Sequence, residues 1–194
     1  MKNKFATITL LLFTLNVYSQ QAGKVKFGIK LGAVFAKSKI EYTGTDYPYN
    51  FNMKTGLSIG GYADFLVSKN FVFQPALLYV RKGAKVTGLY SYNEPLYFNY
   101  FEIPLNILYR PAAKKGMYFF GVGLSPAIRL NYYYNGSQLK SFDLGINALA
   151  GYQFPIGFSI NLNYTYGIMN VSENKEFIST IQNKYFSLTV GYEF

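Results

Sequence analysis

Between residues 158 and 168 every second residue is apolar: Phe158, Ile160, Leu162, Tyr164, Tyr166 and Ile168 alternate with Ser159, Asn161, Asn163, Thr165 and Gly167. A period of two places the first set on one face of a strand and the second on the other. The same alternation closes the chain, where Leu188, Val190, Tyr192 and Phe194 are separated by Ser187, Thr189, Gly191 and Glu193. A strand that finishes on the terminal carboxylate points to an end that is itself read, with Tyr192 and Phe194 as its signal.

Six further stretches carry the pattern, so eight strands are predicted. In the first, Val25, Phe27, Ile29, Leu31, Ala33 and Phe35 oppose Lys26, Gly28, Lys30 and Gly32. The second, about 55–67, sets Leu57, Ile59, Ala63 and Phe65 against Ser58, Gly60, Tyr62 and Asp64. The third, about 71–80, carries Phe73, Leu77 and Tyr79 against Gln74, and Pro75 within it predicts a bulge. In the fourth, about 97–110, Phe101, Ile103, Leu105, Ile107 and Tyr109 oppose Glu102, Pro104, Asn106 and Arg110. The fifth, about 117–130, sets Tyr118, Phe120, Val122, Leu124 and Ile128 against Gly121, Gly123, Ser125 and Arg129. The sixth sets Leu144, Ile146, Ala148, Ala150 and Tyr152 against Asp143, Gly145, Asn147, Gly151 and Gln153.

The amino terminus adds a compartment. Lys2 and Lys4 precede the apolar run 5–13, and Thr14, Asn16 and Ser19 lead to Gln20, the layout of a secretory signal peptide. Residues 1–20 are expected to be cleaved, leaving one domain over 21–194, and no cysteine is present to carry a lipoprotein anchor. Tyr and Phe number 20 and 18, yet no segment after the signal is apolar for the 18 or so residues of a spanning helix. A membrane barrel reconciles these facts, because its lipid face is apolar while its lumen is polar. A soluble lipocalin-like periplasmic barrel, the alternative, would bury its aromatics instead.

The connections follow the same logic. Those at about 68–70, 111–116 and 155–157 are tight turns. Those at about 41–54, 81–96, 131–141 and 171–183 are longer and rich in Tyr, Asn, Lys, Ser and Gly. Short turns on one rim and long loops on the other are the layout of an outer-membrane barrel. The predicted fold is therefore an eight-stranded antiparallel up-and-down transmembrane β-barrel in the Gram-negative outer membrane, with both termini periplasmic.

Several of these pieces resemble a family. Phe101-Glu102-Ile103-Pro104-Leu105, Gln74-Pro75 followed by Leu77, Tyr79 and Lys82-Gly83, Asp143 with Gly145 and Gly151-Tyr152, and the closing Phe194 are similar to the small outer-membrane β-barrel domains of Bacteroidota called PorT-like. The signal ending Tyr18-Ser19-Gln20 resembles the secretory peptides of that lineage. The resemblance spans the chain after its signal and implies a barrel, with accessory support of a secretion or uptake assembly as one role. Ala76 stands where such barrels often carry an inward glutamate.

The chemistry left to such a barrel is limited. The chain lacks His, Cys and Trp, which removes Ser-His and Cys nucleophiles and zinc sites built on His or Cys. No catalysis and no cofactor are expected. Net charge is +10, and Lys2 and Lys4 leave with the signal. The remaining basic residues are scattered, so outer-membrane lipids and lipopolysaccharide phosphates suit the charge better than nucleic acid. Further expected partners are the barrel assembly machinery and a protein or glycan at the loops.

Inward charges are expected to form a lumen network of Lys26, Lys30, Asp64, Glu102, Arg129, Asp143 and Glu193. Counting from the rim pairs Lys30 with Asp64, Lys26 with Glu193 and Arg129 with Asp143. An eight-stranded barrel is just filled by its side chains, so the network would plug the lumen. The alternative is a small-solute channel, opened by inward Gly28, Gly32, Gly121, Gly123 and Gly151. Tyr90, Tyr92, Tyr97, Tyr100 and Tyr132 to Tyr134 are expected as an interfacial aromatic girdle at the loop rim.

Overall fold

The computed structural model describes residues 25–42, 50–87, 95–111, 116–130, 140–173 and 178–194. Residues 1–20, expected to be a signal peptide, lie outside the described residues, as do Tyr90, Tyr92 and Tyr132 to Tyr134. The strand segments are β1 (Val25–Tyr42), β2 (Asn50–Leu66), β3 (Phe71–Thr87), β4 (Pro95–Glu102), β5 (Leu105–Tyr109), β6 (Met117–Arg129), β7 (Phe142–Gln153), β8 (Phe158–Gly167) and β9 (Ile178–Glu193).

Nine segments make an eight-membered wall. β4 and β5 both lie between β3 and β6, and their registers run on without a shift across Ile103 and Pro104. Proline has no N–H to give the ladder, so Pro104 interrupts the hydrogen bonding while the strand continues. Every neighbouring pair is antiparallel, and β9 pairs with β1 to close the barrel. Closure removes the free edges that an open sheet would present.

The register also sets the barrel's geometry. Starting at Val25, the partners Phe65, Phe73, Ile107, Val122, Ala148, Tyr164 and Phe186 lead back to β1 at Phe35. The circuit thus climbs ten residues, which requires strands tilted by about 35–45°.

Exposure alternates with the sequence pattern. Phe27, Ile29 and Leu31 on β1, Ile160, Leu162 and Tyr164 on β8, and Leu188, Val190 and Tyr192 on β9 face outward. Buried positions instead hold Lys30, Asp64, Gln74, Glu102, Asn106, Asn147, Asn161, Thr165 and Thr189. This inverts a soluble barrel, so the lipocalin-like alternative fails: its outer surface would be an apolar cylinder in water.

Two features depart from the sequence-based expectation. Pro75 causes no register shift toward either neighbour; the irregularity lies on β2, between Met53 and Ser58. Proline at 75 is tolerated because the adjacent Ala76 N–H bonds the Pro104 carbonyl. Secondly, β2, β3 and β9 reach 17, 17 and 16 residues, past the loop boundaries expected at 54, 81 and 183, while β1 ends within one residue of the boundary expected at 41. Backbone pairing continues after the apolar alternation stops, because polar residues satisfy a ladder in water as well as apolar ones do in lipid.

Inward glycines serve bulky neighbours. A Cβ on Gly28 would lie 2.3 Å from the Tyr62 ring, and one on Gly121 would lie 2.3 Å from Leu108. The glycines make room for large inward side chains, and the volume of an open bore is taken up.

Candidate functional site

The lumen is built from three stacked zones. Nearest the chain termini, Arg110 follows β5 at the turn-side rim and lies across the mouth. Its Nη2 donates to Asp64, while its Nη1 donates to Gln153 Oε1 at 2.8 Å and Glu193 Oε2 at 3.1 Å. Lys26 Nζ donates to the other oxygen of Glu193 at 2.7 Å. One guanidinium thus joins three strand ends through its planar fork of donors. The Lys26 side chain is 62% exposed, so its share of this is small.

Lys30 and Asp64 do not meet directly. Lys30 Nζ donates to Gln74 Oε1 at 2.6 Å, and Gln74 Nε2 donates to Asp64 Oδ1 at 2.7 Å. The tilt explains the separation: Asp64 is in register with Lys26, whereas Lys30 is opposite Gly60. Lys30 also lies 4.6 Å from the Tyr62 ring, a cation–π contact that helps hold a buried ammonium.

The middle zone is mostly polar and reaches down to Lys30. At its turn-side edge, beside Gln74 and Arg110, Val72, Leu108, Phe119 and Leu149 pack together. One inward step further along the same strands, β5 and β7, Asn147 donates to Asn106 at 2.8 Å. A cavity of about 20 Å³ lined by Ser58, Asn106, Asn147, Thr165, Tyr185 and Thr189 has room for a water molecule.

The loop-side zone carries a second charge cluster. Lys82 is ion-paired with Glu102, which also accepts hydrogen bonds from Tyr185 and, at 3.3 Å, from Ser125. Lys82 Nζ sits 4.6 Å from both the Tyr100 and Tyr185 rings. Asn183 Nδ2 donates to Asp143 at 2.9 Å and to the Tyr100 hydroxyl at 3.3 Å. Arg129 is half-buried on β6, two residues beyond Ala127, the register partner of Asp143.

Above this cluster the chain folds inward. Val171 is buried against Phe98, Tyr100, Ala127 and Ile181. Its backbone is fastened by bonds from Lys140 N to Val171 O and from Val171 N to Ile181 O. Asn170 Oδ1 accepts from the N–H groups of Ser172 and Ile181. Residues 170–172 therefore sit as a cap over the lumen.

Tyr100 belongs to this interior. It is 1% exposed and so is no part of a girdle; in β4 the even-numbered residues 98, 100 and 102 point inward. Tyr97 is half-exposed. Tyr192 and Phe194 face outward, their rings 5.5 Å apart.

Arg110, Gln74, Lys82, Tyr185 and Asn183 organise these zones, and the expected network omitted them. Parity could have found most of them: Lys82 shares the phase of Gln74, and Arg110 that of Glu102. Lys82 lies beyond residue 80, the expected end of the third strand, which runs on to Thr87. Among the described residues, no cluster of His, Cys, Asp or Glu is arranged to hold a metal ion.

An apolar exterior, a polar interior and a ten-residue climb frame the comparison with known proteins. Residues 18–173 match the family model described as outer membrane protein beta-barrel domain. The chain belongs to that family. This small outer-membrane barrel is similar to the outer membrane protein OprG from Pseudomonas aeruginosa, with 12% identity over 88% of this chain and 96% of that one, at a TM-score of 0.57. It is also similar to the outer membrane protein AlkL, with 13% identity over 90% and 93% of the two chains and a TM-score of 0.53. Neisserial surface protein A shares 17% identity over 87% and 97%, at a TM-score of 0.49. No functionally curated protein matches the outer-membrane barrel. At these identities the likeness is one of fold.

Proposed function

We propose that this protein is a plugged outer-membrane barrel with a structural or interactive role: membrane integrity, adhesion, or accessory support of a secretion or uptake assembly. It performs no catalysis and needs no cofactor. The observation that carries this reading is the obstruction of the lumen at two levels, by Arg110 with Asp64 and Glu193 near the termini and by Lys82 with Glu102 under Val171 near the loops. Charges paired this closely cost several kcal/mol to expose singly, so an ion cannot part them cheaply. The accessory role and membership of the PorT-like barrels of Bacteroidota rest on the sequence resemblance.

Single-channel recording of the refolded protein in planar bilayers tests the plug. Silence supports it, and steady conductance makes the protein a small-solute pore. The short-turn and long-loop rims support an orientation with termini periplasmic and loops outside. A unique thiol at Thr45→Cys should label on intact cells and one at Lys69→Cys should not; the reverse pattern would invert the barrel.

A further inference from the structure

The outward wall changes character abruptly on one side of the barrel. On β1 the outward residues Phe27, Ile29, Leu31 and Phe35 give way to Lys37; on β9 Tyr192, Val190, Leu188 and Phe186 give way to Lys184. The two lysines are directly opposite in the ladder, an arrangement that repels unless something neutralises it. Beneath them Phe35 and Phe186 stack at 4.9 Å. Lys184 Nζ lies 4.4 Å from the Tyr166 ring.

The basic surface continues across β1. Arg81 on β3 is exposed, with its guanidinium 3.9 Å from the Tyr97 ring, and Lys54 Nζ on β2 is 5.1 Å from the same ring. Ala36 is the register partner of Lys54, and the slant of the register brings Arg81 to a similar height. Three outward cations, Lys184 on β9, Lys37 on β1 and Arg81 on β3, thus form an arc, and Lys54 on β2, the partner of buried Ala36, reaches the Tyr97 ring between them. Among the described outward side chains of β9, β1, β2 and β3 there is no carboxylate. At the loop-side ends of β6, β7 and β8 the outward residues are Leu130, Phe142 and Ile168, so the arc is one-sided.

We propose that this arc is a binding site for the phosphate groups of lipid A, the anchor of lipopolysaccharide. Cations where an apolar wall ends stand at headgroup level, and rings beside them suit the interface. The lysine pair receives an anion that relieves its repulsion, while the Phe35–Phe186 stack and Leu31 and Leu188 below it offer an apolar track to acyl chains. Bidentate Arg81 adds a second phosphate contact. The assignment to lipid A rests on the proposed orientation, which puts the loop rim in the outer leaflet.

Native mass spectrometry of the refolded protein in detergent micelles tests the site, with bisphosphorylated lipid A, dephosphorylated lipid A and phosphatidylglycerol as probes. Wild type should retain bisphosphorylated lipid A in preference to both others. The K37Q/K184Q variant should bind it roughly thirtyfold more weakly, as expected for loss of two headgroup-level cations. K37R/K184R should keep the affinity, which separates charge from folding, and K69Q at the opposite rim should leave it unchanged. Equal retention of phosphatidylglycerol would reduce the arc to a general anionic surface, and unchanged binding by K37Q/K184Q would overturn the site. Micelles have no sidedness, so this result is independent of the cell-labelling test of orientation.

Discussion

Arg110 and Asp64 meet across the turn-side mouth of the barrel, from strands that are not neighbours in the wall. A contact that skips the intervening β3 does what no ladder bond can do: it ties strands that share no hydrogen bonds through the inside of the cylinder. The same guanidinium reaches Glu193 on the last strand, on the opposite side of the bore, so the terminal strand is locked to the interior one residue from Phe194.

Replacing Arg110 with Ala leaves Asp64 and Glu193 facing each other with one fewer cation. Loss of one partner of a buried pair costs about 3–5 kcal/mol. Urea unfolding of the refolded barrel, followed by its heat-modifiable gel mobility, should show that loss. The same variant should conduct in planar bilayers where wild type is silent.

Lys82 and Glu102 should behave as a unit. Lys82→Met or Glu102→Gln alone strands a buried charge, whereas the double variant strands none. The double variant is expected to be more stable than either single one, as measured by urea midpoints. Additive losses would show that each residue acts through other neighbours.

Gly28→Ala puts a methyl group 2.3 Å from the Tyr62 ring. Overpacking of this kind costs about 1–3 kcal/mol. Combining it with Tyr62→Ala should restore most of the loss relative to Tyr62→Ala alone, since the clashing ring is gone.

Removal of Phe194 tests the terminal signal. Phe194 is 72% exposed, and its N–H bonds the Phe27 carbonyl, so the truncated chain should refold in detergent nearly as wild type does. In cells it should fail to reach the outer membrane, read by fractionation. Normal membrane levels would remove Phe194 from the assembly signal.

Alternation alone made the wall legible. Because side chains in a strand point to alternate faces, the inward set Lys30, Asp64, Glu102, Asn147 and Glu193 could be read by parity, and the apolar complement could be assigned to lipid. The strand break at Pro104 and the harmlessness of Pro75 could not, since each depends on what the neighbouring strand offers as a hydrogen-bond partner.

Which inward residue meets which was decided only in three dimensions. Parity assigns a face but no azimuth or height, and a ten-residue climb around the wall displaces every pairing counted from the rim. That displacement sets Gln74 between Lys30 and Asp64, hands Asp64 to Arg110, and turns Tyr100 from an expected girdle residue into a partner of Lys82. The sequence by itself determined a membrane barrel, because period-two alternation has one stable solution in lipid; the tertiary structure decided how its lumen is filled, because closure with shear brings together residues that no local spacing relates.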